Sequence, residues 1–345
     1  MRITSPLPLD DWPAVAPAAR AAEEAGFDAV GSAEIAHDPF APLIAASLAT
    51  DRVDLTTGIV VAFPRSPMVV ANTAWDLQAQ SGGRFSLGLG SQVKGHNTRR
   101  FSVPWGPPVP RLREYIESLR AIWRAWETKE PLDYVGEHYQ FTLMTPEFSP
   151  EPSGQPAVPI SIAAVGPAMM KMAGRVCDGV KLHGFATRKY LEEIALPQVM
   201  AGLEDAGRSR ESFEISGGGF IATGPDEESV AKQIEAIRYR VAFYGSTRSY
   251  HGVFATHGWE DLGLELHRMS KAGEWSEMAS RVPDEVVREF AACATWSNLK
   301  CALEERFGGL TDTTGLGFPA GTDPDLAKEI VKGIKSIDCP YRGRS

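Results

Sequence analysis

Side chains that can hold or move a proton follow two stretches of the chain that are predicted to form strands. Glu34 and His37 follow the apolar stretch 27–33, and His96 follows the glycine-containing stretch 84–90. Carboxylate and imidazole groups are the usual general acids and bases of enzymes, so proton transfer is the chemistry that these residues could perform. Polar side chains in solvated loops are the alternative interpretation at both places.

Compact catalytic and nucleotide-binding motifs are absent from the sequence. It contains no G-x-x-x-x-G-K-[ST], H-E-x-x-H or G-x-S-x-G, and the segment from Gly88 to Val93 lacks the third glycine of a dinucleotide fingerprint. The four cysteines show no C-x-x-C spacing, which predicts reduced thiols and no metal site. Barrel enzymes remain possible because their sites are assembled from scattered strand ends.

The composition is that of a globular protein with an acidic balance. The 345 residues carry a net charge of -9, and 43% of them are hydrophobic. Such a charge gives no general attraction to nucleic acid or to an anionic membrane surface. The chain has no apolar stretch long enough to span a membrane and no amino-terminal secretory pattern, so we expect a cytoplasmic protein.

Short apolar strands alternate with amphipathic helices along the whole chain. This alternation indicates parallel βαβ units, and a single (β/α)8 TIM barrel over residues 1–345, with loop insertions, fits the length. The predicted strands are a short one at Ile3 and the stretches 27–33, 53–61, 84–90, 158–164, 179–182, 213–223 and 310–318.

Two segments interrupt the alternation. Residues 130–159 contain six prolines, which predicts a long non-helical excursion of the kind that often covers a site. Residues 244–288 carry apolar side chains in helical spacing and are interpreted as a helical insertion between the last two barrel strands.

Three segments at predicted strand ends combine into a more specific pattern. They read T-G-I-V-V-A-F-P-R-S-P from Thr57, S-G-G-R-F-S-L-G-L-G from Ser81, and I-S-I-A-A-V-G-P-A-M from Ile160, the last followed by A-G-R-V-C-D-G from Ala173. Together they resemble the luciferase-like oxidoreductases over about residues 15–205. The stretch Gly90-Ser91-Gln92 with Arg99–Trp105 is most similar to the branch that depends on coenzyme F420.

The resemblance implies a barrel that binds a flavin-type ring and its phosphorylated tail. It implies a non-prolyl cis peptide at Gly58–Ile59 behind the ring. Val93 stands where the sugar-phosphate dehydrogenase branch has a glutamate, which argues against that activity. The implied proton-transfer residues are Glu34, His37 and His96. The implied cofactor-binding residues are Gly58, Ile59, Val61, Gly90, Ser91, Gln92, Asn97, Ala163, Ala164, Val165, Gly166, Pro167, Leu182 and His183.

Gly166-Pro167 also has a physical reason to bind phosphate. It lies where a predicted strand passes into a helix, so that free backbone N–H groups and the positive end of the helix dipole are available to an anion. Pro167 loses no helical hydrogen bond in the first turn. A plain helix start with proline in the first turn is the alternative interpretation.

We expect an oxidoreductase that transfers a hydride between F420 and a small organic substrate. One alternative keeps the fold and uses reduced FMN with oxygen as a monooxygenase, supplied by a separate reductase. The other is a catalytically silent flavin-binding barrel. The resemblance also implies a homodimer, because many luciferase-like barrels pair through the helices beside strands two and three, which correspond here to Ala41–Ala49 and Met68–Trp75.

Overall fold

The computed structural model describes residues 1–343, and its strands form one parallel barrel. Eight strands are hydrogen-bonded in chain order, and the barrel closes because the last of them pairs with the first. These strands are Arg2–Pro6 (β1), Ala29–Ser32 (β2), Asp54–Thr57 (β3), Phe85–Gly90 (β5), Ile160–Ala164 (β8), Gly179–Leu182 (β9), Glu214–Gly217 (β10) and Thr313–Gly315 (β13). The predicted TIM-barrel class is confirmed.

Five further strands lie outside this ring of eight. Val60–Val61 (β4) pairs with β5, Tyr134–Val135 (β6) and Gln140–Phe141 (β7) form a hairpin, and Phe220–Gly224 (β11) pairs with Ala291–Thr295 (β12). The expectation of single strands over 53–61 and 213–223 is therefore wrong, since each is two strands. The first break falls at the Gly58–Ile59 peptide bond and the second at Gly218 and Gly219.

Helices follow the barrel strands and occupy the predicted insertion. They span Trp12–Ala25 (α1), Ala41–Ser47 (α2), Pro67–Gln80 (α3), Lys94–Arg99 (α4), Pro108–Thr128 (α5), Pro167–Val176 (α6), Arg188–Tyr190 (α7), Leu196–Asp205 (α8), Glu227–Gly245 (α9), His251–Ala255 (α10), Glu260–Ala272 (α11), Asp284–Phe290 (α12), Leu299–Phe307 (α13) and Pro324–Lys335 (α14). Single 3-10 turns lie at Pro146–Phe148, Arg210–Ser212, Arg248–Tyr250, Met278–Arg281 and Trp296–Asn298, and a π turn spans Leu191–Ala195. No helix within residues 1–343 combines the length and hydropathy needed to cross a bilayer.

The predicted helix ends follow from local chemistry. Gly26 ends α1 with a φ of 86°, a left-handed conformation that glycine adopts without steric cost. The Ser66 side chain accepts a hydrogen bond from the Met68 N–H and so caps α3, while Pro67 occupies the first helical position. The sequence predicts both boundaries, from Gly26 after an Ala-rich segment and from Ser66-Pro67 before a helix that runs to about Gln80, and both are confirmed.

The described chain divides into two compact units. Residues 4–163 and 172–180 form the N-terminal unit, and the rest of the described chain forms the C-terminal unit. The expectation that the whole chain is one domain stays a prediction. In the N-terminal unit the core is built from strands such as β3 and β5, with Leu55 and Phe85 fully buried, and from the apolar face of α5, including Trp126.

Glycines in the C-terminal unit permit a close backbone approach. Gly217 has a φ of 80°, and a Cβ built on it would lie 2.5 Å from the carbonyl oxygen of Leu182. Only glycine fits where β10 leaves the barrel beside the end of β9. The run Gly217-Gly218-Gly219 in the sequence is compatible with the approach of a cofactor tail, the approach of another strand or a bulge, and the structure supports the approach of another strand.

Candidate active site

The site of the N-terminal unit is built around the bulge between β3 and β4. The Gly58–Ile59 peptide bond is cis, so this prediction is confirmed. The Gly58 N–H donates to the Ser32 carbonyl at 2.7 Å, and the Glu34 N–H donates to the Ile59 carbonyl at 3.1 Å. The bulge is thereby tied to the end of β2 on both sides.

Ile59 also explains a glycine at the end of β5. A Cβ built on Gly90 would lie 2.6 Å from Cδ1 of Ile59 and 3.7 Å from Cβ of Ala163. The side chain of Ile59 therefore fills the space that any larger residue at position 90 would need. Three residues predicted to contact the cofactor are in this way brought together at the ends of β3, β5 and β8.

Glu34 is held by a cation that the sequence reasoning did not single out. Its carboxylate accepts hydrogen bonds from Nη1 of Arg65 at 2.7 and 2.8 Å and from the Val61 N–H at 2.7 Å. The Glu34 side chain is 8% exposed and that of Arg65 is 22% exposed. Nη2 of Arg65 also lies 3.4 Å from Asp38. The carboxylate thus fixes the bulge and the loop after it.

The two histidine candidates of this unit are accessible to solvent. His37 lies in the exposed loop that follows Glu34, and His96 lies on the exposed side of the short helix α4. Exposed imidazoles can exchange protons with water directly. Neither position tests the predicted proton-transfer role, which stays a prediction.

Asn97 lies next to His96 but is fully buried. Its Nδ2 donates to the carbonyls of Ser91 and Val93 at 2.9 and 3.2 Å, and its Oδ1 is buried with no partner among the described residues. Gln92, between these two carbonyls, has a φ of 56°. Asn97 therefore shapes the 91–93 turn, and its predicted contact with a cofactor stays a prediction.

The predicted excursion 130–159 is anchored to this unit by two partly buried contacts. Arg111 on α5 lies 4.4 Å from the ring centroid of Phe63 and donates through Nε to the hydroxyl of Tyr139 at 3.2 Å. Phe63 follows β4 by two residues, so the excursion reaches the segment that follows the bulge. The cation–π pair between Arg111 and Phe63 could not be predicted from the sequence, because its two residues are far apart along the chain.

Glu114 is the second anchor of the excursion. It lies with Glu137 and His138 in the one group of three possible metal-binding side chains found among the described residues. Burial of the Glu114 carboxyl opposes ionisation, but the backbone N–H groups of His138, Glu137 and Tyr139 outweigh it, and the pKa of Glu114 is lowered. These backbone donors explain the buried carboxylate without an ion. The expectation of no metal stays a prediction.

In the C-terminal unit the turn from β8 into α6 is open to solvent. Gly166 and Pro167 are exposed, Val165 is partly exposed, and a Cβ built on Gly166 would meet nothing within 4 Å. The hydroxyl of Tyr190 donates to the Val165 carbonyl at 2.9 Å. Tyr190 is itself buried, so it fixes the direction of the turn and leaves the Gly166 backbone accessible.

His183, at the end of β9, lies among aromatic rings. Its ring centroid is 4.4 Å from that of Tyr244 and 5.0 Å from that of Tyr250, and its Nδ1 accepts the Phe185 N–H at 2.9 Å. Nδ1 is thus the acceptor, which places the proton of the neutral ring on Nε2. Burial lowers the pKa of His183 to about 4. Tyr244 and Tyr250 could not be found from the sequence because they begin the insertion.

The two histidines of the insertion, His251 and His257, are partly exposed. Nε2 of His257 lies 2.7 Å from the hydroxyl of Thr187, and its ring stacks on Trp259 with centroids 4.2 Å apart. Nε2 of His251 is buried with no partner among residues 1–343. Their place in the insertion favours a surface role, and both side chains are partly exposed, so that role stays a prediction.

The low pKa of His183 makes a pH dependence of stability measurable. The unfolded chain takes up a proton near pH 6.5, whereas the folded chain does so near pH 4. The contribution of His183 therefore leaves the free energy of unfolding unchanged above pH 6.5. As the pH falls from 6.5 towards 4, it lowers the free energy of unfolding by about 3 kcal/mol. We expect urea unfolding to show this loss in the wild type and not in His183→Asn. If the free energy of unfolding depends on pH in the same way in both proteins, the burial of the His183 ring is contradicted.

Comparison with known proteins agrees with this geometry. The family model for luciferase-like monooxygenases matches residues 3–313. The chain belongs to this family. The resemblance to luciferase-like proteins that was predicted from the sequence is confirmed. The luciferase-like family consists of oxidoreductases and monooxygenases.

Individual relatives extend over nearly the whole chain. An uncharacterized protein of Mycobacterium tuberculosis is 46% identical over 297 residues, covering 86% of this luciferase-like chain and 87% of the relative. The 5,10-methylenetetrahydromethanopterin reductase of Archaeoglobus fulgidus is 27% identical over 329 residues, covering 91% and 93%. The solved coenzyme F420 dependent tetrahydromethanopterin reductase of Methanopyrus kandleri superposes with a TM-score of 0.76 at 22% identity, covering 98% and 99%.

Proposed function

We propose that this luciferase-like protein is an oxidoreductase that transfers a hydride between coenzyme F420 and a small organic substrate. The observation that carries the proposal is the open turn at Gly166, at the start of a ten-residue helix. F420 is favoured over FMN by the names of two similar proteins. The Archaeoglobus fulgidus relative is named 5,10-methylenetetrahydromethanopterin reductase, and the Methanopyrus kandleri structure is named coenzyme F420 dependent tetrahydromethanopterin reductase. The sequence pattern at Gly90-Ser91-Gln92 supports the same choice.

The residues present fit a phosphorylated planar cofactor. In the C-terminal unit, the exposed turn of Val165, Gly166 and Pro167 would hold the phosphate through the Gly166 N–H and the positive end of the α6 dipole, since Pro167 has no N–H to donate. In the N-terminal unit, Gly58 is exposed, and a Cβ built on it would meet nothing within 4 Å, so its backbone is open to a ring. When bound, F420 supplies a carrier that takes up or gives a hydride.

The chain's own residues supply position and protons. Glu34 is a positioning residue, since its carboxylate is engaged by Arg65 and by the Val61 N–H. His37 would exchange the proton that accompanies hydride transfer, because its imidazole is exposed and lies three residues after Glu34. His183, neutral at pH 7 through burial, would donate a hydrogen bond from Nε2 without adding charge.

A cofactor titration tests the proposed function. We expect F420 to bind the purified protein at least about tenfold more tightly than FMN, followed by anaerobic oxidation of reduced F420 with a panel of ketones. Cofactor fluorescence and absorbance report both steps. Tighter binding of FMN with oxygen-dependent product would indicate a monooxygenase. Binding without turnover of either cofactor would indicate a catalytically silent barrel.

The proton role of His37 has its own test. His37→Gln should lower kcat about 100-fold at neutral pH while F420 binding changes less than about twofold, since general acid–base catalysis contributes factors of this order. If His96→Gln lowers kcat more than His37→Gln does, the proton-transfer role belongs to His96 on α4 instead.

A further inference from the structure

A cavity of about 520 Å³ lies in the C-terminal unit, apart from every residue assigned to the cofactor. It is bounded by the ends of β11 and β12, the first turns of α9 and the segment after β13. Its volume falls in the range of small-molecule sites. The lining residues that bear on its chemistry are Ile221, Thr223, Ser229, Lys232, Trp296 and Phe318.

One side of the cavity is aromatic. Trp296 and Phe318 meet edge to face, with ring centroids 5.9 Å apart and planes at 82°. Both rings are only half-buried, and Ile221 adds an aliphatic surface. Flat apolar walls of this kind favour a planar ring as ligand.

Thr223 adds a polar group that lacks a partner. Its Oγ1 is buried, and no atom among the described residues hydrogen-bonds to it. An unpaired buried hydroxyl costs free energy, which an acceptor on a ligand would recover. Thr223 lies in β11 and pairs with Ala294 of β12. The backbone that bears the hydroxyl is therefore part of a regular strand pair.

The charges around the cavity do not favour an anion. Asp226 caps α9 by accepting the Ser229 N–H at 2.8 Å, which already occupies the positive end of the helix. The first turn also carries Glu227 and Glu228, and Nζ of Lys232 lies 2.7 Å from Glu228. The cation that lines the cavity is therefore paired.

We propose that this cavity binds a planar, uncharged aromatic carbonyl compound. The rings of the ligand lie against Trp296 and Phe318. Its carbonyl oxygen accepts a hydrogen bond from Oγ1 of Thr223, which rotation about χ1 brings from its buried position to the cavity surface. The proposal does not depend on F420 chemistry, because none of these residues belongs to the cofactor-binding set.

Calorimetric titration of the full chain without cofactor tests the proposal. The probe is 2-acetonaphthone, with 2-naphthoate as the charged analogue and methyl cyclohexyl ketone as the saturated one. We expect saturable binding of 2-acetonaphthone and at least about tenfold weaker binding of both analogues. Absence of saturable binding, or tighter binding of 2-naphthoate, would overturn the proposal.

Variants then assign the contacts. Thr223→Val keeps the shape and removes the hydroxyl, and it should weaken 2-acetonaphthone binding about tenfold, while Thr223→Ser should bind like the wild type. Trp296→Leu should also weaken binding about tenfold. Circular dichroism shows that each variant is folded, and if Thr223→Val is not, the comparison of Thr223→Ser with Trp296→Leu decides. Equal affinity in all folded variants would place the ligand elsewhere.

Discussion

Gly166→Asp is expected to weaken F420 binding about 1,000-fold. The new carboxylate would stand where we propose that the cofactor phosphate binds, and juxtaposed like charges cost several kcal/mol, of which about 4 corresponds to this factor. Gly166 is exposed, and its Cβ position is open, so the fold should tolerate the substitution. Fluorescence titration at low and high salt measures the loss, which should shrink as salt screens the repulsion.

Two matched variants separate charge at this turn from other effects. Gly166→Ala adds only a methyl group to open space and should bind F420 within about threefold of the wild type. Gly252→Asp adds the same charge at another exposed, open glycine of the C-terminal unit and should leave binding unchanged. If Gly166→Asp binds F420 as tightly as Gly252→Asp, the turn does not hold the phosphate.

Arg65→Met is expected to lower the free energy of unfolding by about 4 kcal/mol. It removes the cation that donates to Glu34 at 2.7 Å and leaves a carboxylate that is 8% exposed without its charged partner. Breaking a buried ion pair by removing one side costs about 3 to 5 kcal/mol because the remaining charge stays desolvated. Urea unfolding followed by circular dichroism gives the difference.

An exposed pair on the same unit provides the control. Arg113 and Glu117 on α5 lie 3.5 Å apart with side chains 49% and 40% exposed, so Arg113→Met should cost less than about 1 kcal/mol. The double variant Arg65→Met/Glu34→Leu should recover most of the loss, since it removes the orphaned carboxylate. A cost for Arg65→Met as small as that for Arg113→Met would show that the pair does not fix the bulge.

Local chemistry allowed the sequence by itself to determine most of the barrel. α1 ends at Gly26 because of its left-handed backbone conformation, and α3 begins after Ser66 because of its capping side chain. Both effects depend on a few adjacent residues. The strand over 179–182 has the predicted bounds, because an apolar run between a glycine and a loop leaves little choice. The alternation of strands and helices then restricts the topology to a parallel sheet.

The two divided strands show where local pattern was insufficient. Residues 53–61 are rich in β-branched side chains, so their composition favours one continuous strand. Residues 213–223 contain the run Gly217-Gly218-Gly219, which is compatible with a close backbone approach or a bulge within a single strand. The break between β3 and β4 at Gly58–Ile59 was anticipated only through resemblance to a family. The strand β12 was not predicted at all, since its five small residues are paired only through β11, some 70 positions earlier in the chain.

Tertiary structure alone decided which side chains hold the candidate site. Glu34 and His37 were found from their place after a strand, but Arg65, which engages Glu34, is 31 residues away. Tyr190 fixes the Val165 carbonyl across 25 residues, and Tyr244 meets His183 across 61 positions of the printed sequence. Periodicity and capping report on neighbours along the chain, whereas a partner for a buried charge or ring is chosen by packing among distant segments, and no local pattern encodes that choice.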